Sequence, residues 1–203
     1  MKKIITLIFC ASFVACAPAI NQKNLSAHRQ AAQSALQNND WDAARVHWAK
    51  AVVNGELGNA PDSQMAILYY EYGRALGVTC FYNEAEKYLK KAYNLDEKTN
   101  GPVYMTLLEL ARLNLNQKKY DNALHYFDKL MPVLEKINAK SQSPAELSVV
   151  LDEYSEALTN MDMLQRAKQF KAEAKKMRET FSGAFSITDR TPYGSQCVDK
   201  DSL

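Results

Sequence analysis

The sequence predicts an all-α fold built from pairs of amphipathic helices. Glycine and proline are scarce, with 7 and 6 among 203 residues, which favours long helices and short connections. A pattern of aromatic and small residues recurs along the chain at the spacing of one helix face. Apolar residues make up 47% and charged residues 24%, which is the composition of a folded globular protein.

The recurring pattern begins at Trp41, Tyr82 and Tyr120. In each copy an Ala follows three residues later, an aromatic residue or Leu follows at seven, and Ala or Leu follows at ten. These four positions lie on one side of an α-helix. The small residue permits close approach of a neighbouring helix, and the aromatic residues fill the space on either side. A weaker fourth copy begins at Leu164 and lacks the aromatic residues.

Another amphipathic segment precedes each copy, separated from it by a short polar turn. These segments cover residues 25–37, 63–78, 102–116 and 144–160. Pro102 and Pro144 suit the first turn of a helix, where the backbone needs no N–H donor. We therefore predict four pairs, each with a first and a second helix, between residues 25 and 181.

Helix, tight turn and helix with this pattern resembles the tetratricopeptide (TPR) repeat. The second pair matches best, with Gly73, Ala85, Ala92 and the ending Leu95-Asp96. The copies start 41, 38 and 44 residues apart, longer than the ~34 residues of the family. The resemblance implies a solenoid of about four antiparallel helix pairs, followed by an irregular tail over residues 182–203. The alternative is a helical bundle that is not a solenoid.

The N-terminus is typical of an export signal. Lys2 and Lys3 precede a stretch from Ile4 to Ala15 that only Thr6 and Ser12 interrupt. A stretch of ~12 residues is too short to span a bilayer, which requires ~20 in a helix. Residues 1–15 are therefore expected to be a signal peptide.

Two cleavage sites remain open. The sequence Phe13-Val14-Ala15-Cys16 resembles a bacterial lipobox, although the family usually has Leu in place of Phe13. This resemblance implies a lipid anchor on Cys16, a tether over residues 16–24, and, through Ala17, the outer membrane facing the periplasm. The alternative is cleavage after Ala19 by ordinary signal peptidase, which would release a soluble periplasmic protein.

Cys10 leaves with the signal peptide, and Cys16 is either lipidated or also removed, so Cys80 and Cys197 are the two thiols that remain. Two thiols in an exported protein are usually paired, so we predict a disulfide that ties the tail back to the helical domain. Two unrelated thiols are the alternative. The sequence has no CxxC or HxxxH spacing, so neither a metal site nor a cofactor is expected.

The resemblance to TPR proteins also implies a concave groove lined by the first helices. The repeat alignment places these residues in it: Arg29, Gln33, Tyr70, Arg74, Leu108, Arg112, Asp152 and Glu156. Arg74 and Arg112 occupy equivalent positions and would suit a carboxylate or phosphate of a ligand. The alternative is that these arginines pair with Glu71 and Glu109, and that Tyr69 and Tyr72 belong to the core.

The net charge and the catalytic motifs searched for bear on two classes of function, nucleic-acid binding and catalysis. Lys2 and Lys3 are the only charged residues among residues 1–15, and 23 basic and 23 acidic side chains remain without them. A chain without net charge has no field to hold nucleic acid. No GxSxG, phosphate-loop or HExxH motif occurs, so we expect no enzyme.

The expected function is an interaction scaffold of the cell envelope that binds a protein or peptide partner in the groove. A cell-wall or polysaccharide-binding lipoprotein is one alternative, and a soluble chaperone-like periplasmic protein is another.

Overall fold

The computed structural model describes residues 16–180 and 190–198, and the side chains from residue 19 onward. The predicted signal peptide, residues 1–15, lies outside the described residues, as do residue 181 and two parts of the predicted tail, residues 182–189 and 199–203. All regular secondary structure in the described part is helical. The helices are α1 (Cys16–Gln37), α2 (Trp41–Leu57), α3 (Asp62–Val78), α4 (Tyr82–Thr99), α5 (Val103–Asn116), α6 (Tyr120–Lys136), α7 (Ala139–Gln142), α8 (Pro144–Asn160) and α9 (Leu164–Thr180).

The four predicted helix pairs are confirmed. They are α1 with α2, α3 with α4, α5 with α6, and α8 with α9. The second helices begin at the residues that open the sequence pattern: Trp41, Tyr82, Tyr120 and Leu164. The third and fourth copies of the pattern start 44 residues apart, and the short helix α7 lies in the connection between these two pairs.

The first helix begins earlier than the sequence analysis expected. Residues 16–24, assigned there to a tether, belong to α1. Leu25 is 2% exposed, and the Gln22 side chain donates a hydrogen bond to the Gly58 carbonyl (3.0 Å). These contacts hold the start of α1 against the end of α2, so this segment is part of the first pair.

The described chain forms two compact units. The first contains α1 to α4 and tail residues 195–198, with α2 packed on both α1 and α3. The second contains α5 to α9 and tail residues 190–194. In the second unit α8 contacts α5, α6, α7 and α9, so it lies at the centre of that unit.

Small residues line the contacts between paired helices. Ala44, Ala85 and Ala92 are fully buried in the first unit, as is Ala123 in the second. Gly73 lies where α3 meets α4: a Cβ atom there would come within 2.8 Å of the Leu89 Cγ and 3.2 Å of the Ala85 carbonyl oxygen. The helices are therefore closer at Gly73 than any larger residue allows.

The turns inside the pairs share one backbone geometry. A left-handed residue, with φ between 55° and 70°, lies two positions before each second helix: Asn39, Cys80, Lys118 and Asp162. Asn and Asp adopt this conformation readily, whereas Lys and Cys do so less often. Packing of the paired helices therefore imposes the turn even where the local residue does not favour it.

The tail is joined to the first unit by a disulfide between Cys80 and Cys197, with a Cα–Cα distance of 5.0 Å. Gln196 adds three hydrogen bonds beside it. Its backbone N–H donates to the Val78 carbonyl (3.1 Å), its side-chain oxygen accepts from the Trp41 N–H (3.1 Å), and its side-chain nitrogen donates to the Asn39 carbonyl (2.7 Å). The tail thus links the turns of the first two pairs.

We expect reduction of the Cys80–Cys197 disulfide to lower the free energy of unfolding. The bridge closes a loop with a sequence separation of 117 residues. The chain-entropy model gives ~4.7 kcal/mol as an upper value for a loop of ~100 residues. Urea unfolding with and without reductant measures the loss, and the Cys80→Ser/Cys197→Ser variant serves as the reductant-insensitive control. Equal midpoints for oxidised and reduced wild-type protein would contradict this account.

We expect Gly73→Ala to destabilise the protein and Gly73→Val to destabilise it more. In an open helix Gly→Ala stabilises by ~1 kcal/mol, but here the added atom meets the fully buried Leu89. Overpacking of this kind costs about 1–3 kcal/mol. Chemical denaturation of the two variants tests the order, and a stabilised Gly73→Ala variant would show that the helices can separate without loss.

Candidate partner-binding site

A cavity of about 270 Å³ opens between α5 and α8 in the second unit. The end of α6 and the short helix α7 close one side of it. Its walls are mostly apolar: Tyr104, Leu108, Leu134, Ile137, Ala139, Ala145, Leu147, Val149 and Val150. Concave, largely apolar spaces with a few polar groups are the usual form of a binding site.

An ionic network lies at one side of this cavity. The Arg112 Nε is 2.9 Å from Glu153 Oε2, and the Arg190 Nε is 3.0 Å from Glu153 Oε1. Glu109 is the second carboxylate near Arg112, at 3.8 Å, and it accepts a hydrogen bond from the Tyr193 hydroxyl (2.6 Å). The two guanidinium groups therefore already have carboxylate partners within the protein.

Burial raises the pKa of the Glu153 carboxyl above its ordinary value. Its neighbours Arg112 and Arg190 act in the opposite direction, and the Glu109 carboxylate adds to the rise. Glu153 is 5% exposed and Arg112 is 9% exposed, so this network lies in a region of low dielectric. Its members stabilise the second unit only while the charges remain paired.

Glu146 is the other charged side chain of the cavity wall. It is partly exposed, and it has no ion pair among the described residues. Gln142 and Ser143 lie beside it in the wall and add polar groups. Among the described residues, the cavity thus combines an apolar lining with one partly exposed carboxylate.

In the first unit, Arg74 is 3.1 Å from Glu71 and lies over the rings of Tyr70 and Trp41, at 5.6 and 5.7 Å. This matches the alternative in which Arg74 pairs with Glu71. The predicted groove residue Arg29 is partly exposed on α1.

Tyr69 and Tyr72 both contact the Tyr88 ring of α4, with centroid distances of 5.7 and 4.7 Å. The Tyr69 hydroxyl also donates a hydrogen bond to Glu56 (2.8 Å). Both tyrosines therefore contribute to the contact between α3 and α4 while remaining partly exposed, so they lie at the edge of that contact and not in the buried core.

The predicted groove residues of the second unit fall into two places. Leu108 and Arg112 line the cavity described above. Asp152 and Glu156 instead line a shallow depression between α8 and α9, where Arg178 lies 2.6 Å from Asp152. One helical residue corresponds to a rotation of about 100°, so a register one residue off turns a side chain to another face. The fourth sequence copy has no aromatic marker to define its register.

Several cavity residues were absent from the sequence prediction: Tyr104, Glu146 and Arg190. Tyr104 precedes Leu108 by four residues, so helical spacing would have found it. Glu146 belongs to the helix with the uncertain register. Arg190 lies in the tail, where no periodicity relates a residue to the helices.

The described residues were also searched for metal-binding clusters and for membrane-spanning helices. Within residues 16–180 and 190–198, no cluster of three or more His, Cys, Asp or Glu side chains is arranged to hold a metal ion. The same residues contain no helix with the length and apolar character needed to cross a membrane.

No protein-family model and no curated protein matches the chain. Solved structures do match it. BtubC (BKLC) from P. vanneervenii has a TM-score of 0.73 at 16% identity, over 82% of this chain and 67% of that one. A kinesin light chain-like protein of Podosopora anserina, with nearly identical TPR-like repeats, has a TM-score of 0.63 at 17% identity, over 78% and 77%.

The chain has a TPR-like fold. Aspartyl phosphate phosphatase F from Bacillus subtilis also matches, with a TM-score of 0.50 at 18% identity, over 85% of this chain and 53% of that one. At these identities the likeness concerns the fold alone, and function depends on the residues of the site.

We expect Arg112→Met to destabilise the second unit by about 3 kcal/mol near neutral pH, because Glu109 and Glu153 would then be buried without this counter-charge. Loss of Arg112 raises the pKa of Glu153 further. A carboxyl with a raised folded-state pKa contributes stability at low pH and loses it as pH rises through that pKa.

The deficit of Arg112→Met should therefore shrink as pH falls toward the ordinary Glu value of 4.5. Urea unfolding of wild type and variant across this range measures it. Lys171→Met, at an exposed position in the same unit, should change stability by less than ~0.5 kcal/mol. A deficit of constant size at every pH would show that charge pairing is not its source.

Proposed function

We propose that this protein is a non-catalytic interaction scaffold of the bacterial cell envelope, which binds a protein or peptide partner in the cavity of its second unit. The observation that carries the proposal is the cavity itself: apolar walls from α5 and α8 beside the open carboxylate of Glu146. A TPR-like fold supports it, since helical repeats commonly offer extended binding surfaces.

The chemistry of the cavity defines the partner segment. An apolar side chain fits the walls formed by Leu108, Val149 and Val150. A Lys or Arg next to it would pair with Glu146, whereas an acidic residue would be repelled. The buried Arg112 offers little to an anion, because Glu153 already pairs with it, and the exposed Arg190 is also paired with Glu153 through its Nε. The proposed ligand is therefore a peptide segment with an apolar residue beside a basic one.

The location in the cell envelope is also part of the proposal. Lys2, Lys3 and the apolar stretch that follows support export, and the lipobox-like residues 13–16 support a lipid anchor on Cys16. Ala17 then favours the outer membrane, facing the periplasm. Cleavage after Ala19 would instead give a soluble periplasmic protein.

Glu146→Lys is the variant that tests this function. It removes the carboxylate that would pair with the basic residue of the ligand. The new lysine would repel that residue. A hydrogen bond to a charged group contributes about 1.5–3 kcal/mol, so we expect partner affinity to fall about tenfold or more. In-cell cross-linking in the native host, with affinity purification and mass spectrometry, identifies the partner, and titration of that partner measures the loss.

Glu156→Lys provides the matched control. It makes the same charge change on the same helix at an exposed position outside the cavity, and it should bind as wild type does. Equal binding by both variants would reject the cavity as the site. Sedimentation with purified peptidoglycan, without a cross-linked protein, would favour the polysaccharide-binding alternative.

A further inference from the structure

Large apolar side chains are exposed near one end of the first helix pair. Ile20 near the start of α1 is 58% exposed, and Leu57 at the end of α2 is 62% exposed. Val53, one turn before Leu57, is 52% exposed. Single exposed apolar residues are common, but a group at one end of a helix pair indicates a contact surface.

Contacts between the two helices show that these residues share one end. Gln22 donates its hydrogen bond to the Gly58 carbonyl, and a Cβ on Gly58 would lie 3.3 Å from the Asn21 Cβ. Ile20 and Leu57 are the chain neighbours of residues that touch. We call the group of Ile20, Val53 and Leu57 the apolar end.

The start of α1 lies beside the apolar end. The helix is continuous from Cys16, and Ile20 follows four residues later, which is ~6 Å along a helix axis. A flexible tether would let the protein tumble freely on its anchor. A helix that begins at the anchored residue instead keeps this end of the first unit within a few ångströms of the membrane surface.

We propose that the apolar end rests in the interface of the lipid bilayer, so that the first unit meets the membrane with the ends of α1 and α2. This inference rests on the proposed lipid anchor at Cys16. Charged residues next to these helix ends are of both signs: Lys23 on α1, Glu56 on α2 and Asp62 at the start of α3. Lys98 and Asp62 already pair at 2.5 Å. The contact therefore depends on apolar insertion and needs no anionic lipid.

The test introduces one tryptophan as a depth probe in the full-length, lipidated protein. Leu57→Trp places it at the apolar end. Val46→Trp places it on the same helix face, 11 residues and therefore ~16 Å farther from that end. The native Trp41 and Trp48 are 8% and 2% exposed, so the wild-type signal serves as the background. Each protein is reconstituted into phosphatidylcholine vesicles with and without brominated acyl chains.

We expect brominated lipid to remove most of the fluorescence added by Leu57→Trp and to leave that of Val46→Trp unchanged. Val53→Trp should give an intermediate loss, and it replaces Leu57→Trp if that variant folds poorly. Equal quenching of Leu57→Trp and Val46→Trp in protein that floats with the vesicles overturns the membrane contact and leaves the anchor intact.

Flotation and intact mass distinguish a failure of the anchor. Wild-type protein should carry acyl groups and float with vesicles, and Cys16→Ser should do neither. If wild type lacks acyl groups and remains with the soluble fraction, the anchor and the membrane contact are both rejected. The cavity in the second unit would stand unaffected, because its test uses partner binding.

Discussion

Paired helices approach each other closely at small side chains, and both the core and the turns follow from this packing. Fully buried alanines at Ala44, Ala85 and Ala123, and a glycine at Gly73, hold the helices near enough for the larger residues on either side to interdigitate. This packing has a consequence for the turns. Each pair needs a left-handed residue two positions before its second helix, and Lys118 adopts that conformation although its side chain does not favour it.

Both units contain helix pairs of the same kind, but different interactions hold the pairs together in each unit. In the first unit the tail supplies covalent and hydrogen-bonded links, through Cys197 and Gln196, to the turns that precede α2 and α4. In the second unit the buried pair of Arg112 and Glu153 joins α5 to α8, and the exposed Arg190 of the tail also pairs with Glu153. Such a network tolerates no missing partner, since an unpaired buried charge is strongly unfavourable.

This use of charge also shapes the candidate function. Two of the arginines that the sequence suggested as ligand contacts pair within the protein: Arg74 with Glu71, and Arg112 with Glu153. What remains open to a partner is an apolar cavity with the Glu146 carboxylate at its wall. The proposed ligand is therefore an apolar and basic segment, whereas the sequence alone had pointed to a carboxylate or phosphate. The proposed membrane contact lies in the other unit and depends on separate residues.

The helix pairs could be predicted from the amino-acid pattern, because apolar and small residues at helical spacing define a helix face without reference to the rest of the chain. Trp41, Tyr82 and Tyr120 mark the second helices correctly for this reason. The pairing of Cys80 with Cys197 could also be expected, because few thiols were available.

Which helix faces meet could not be predicted from the amino-acid pattern and is seen in the folded chain. The tertiary structure placed Asp152 and Glu156 beside α9, away from the cavity that Leu108 lines, and it brought Arg190 to Glu153. Periodicity specifies the face of one helix, whereas the rotation of that helix against its neighbours follows from packing of the whole unit. The tail has no periodicity at all, so its contacts with buried carboxylates arise only when the helices are assembled.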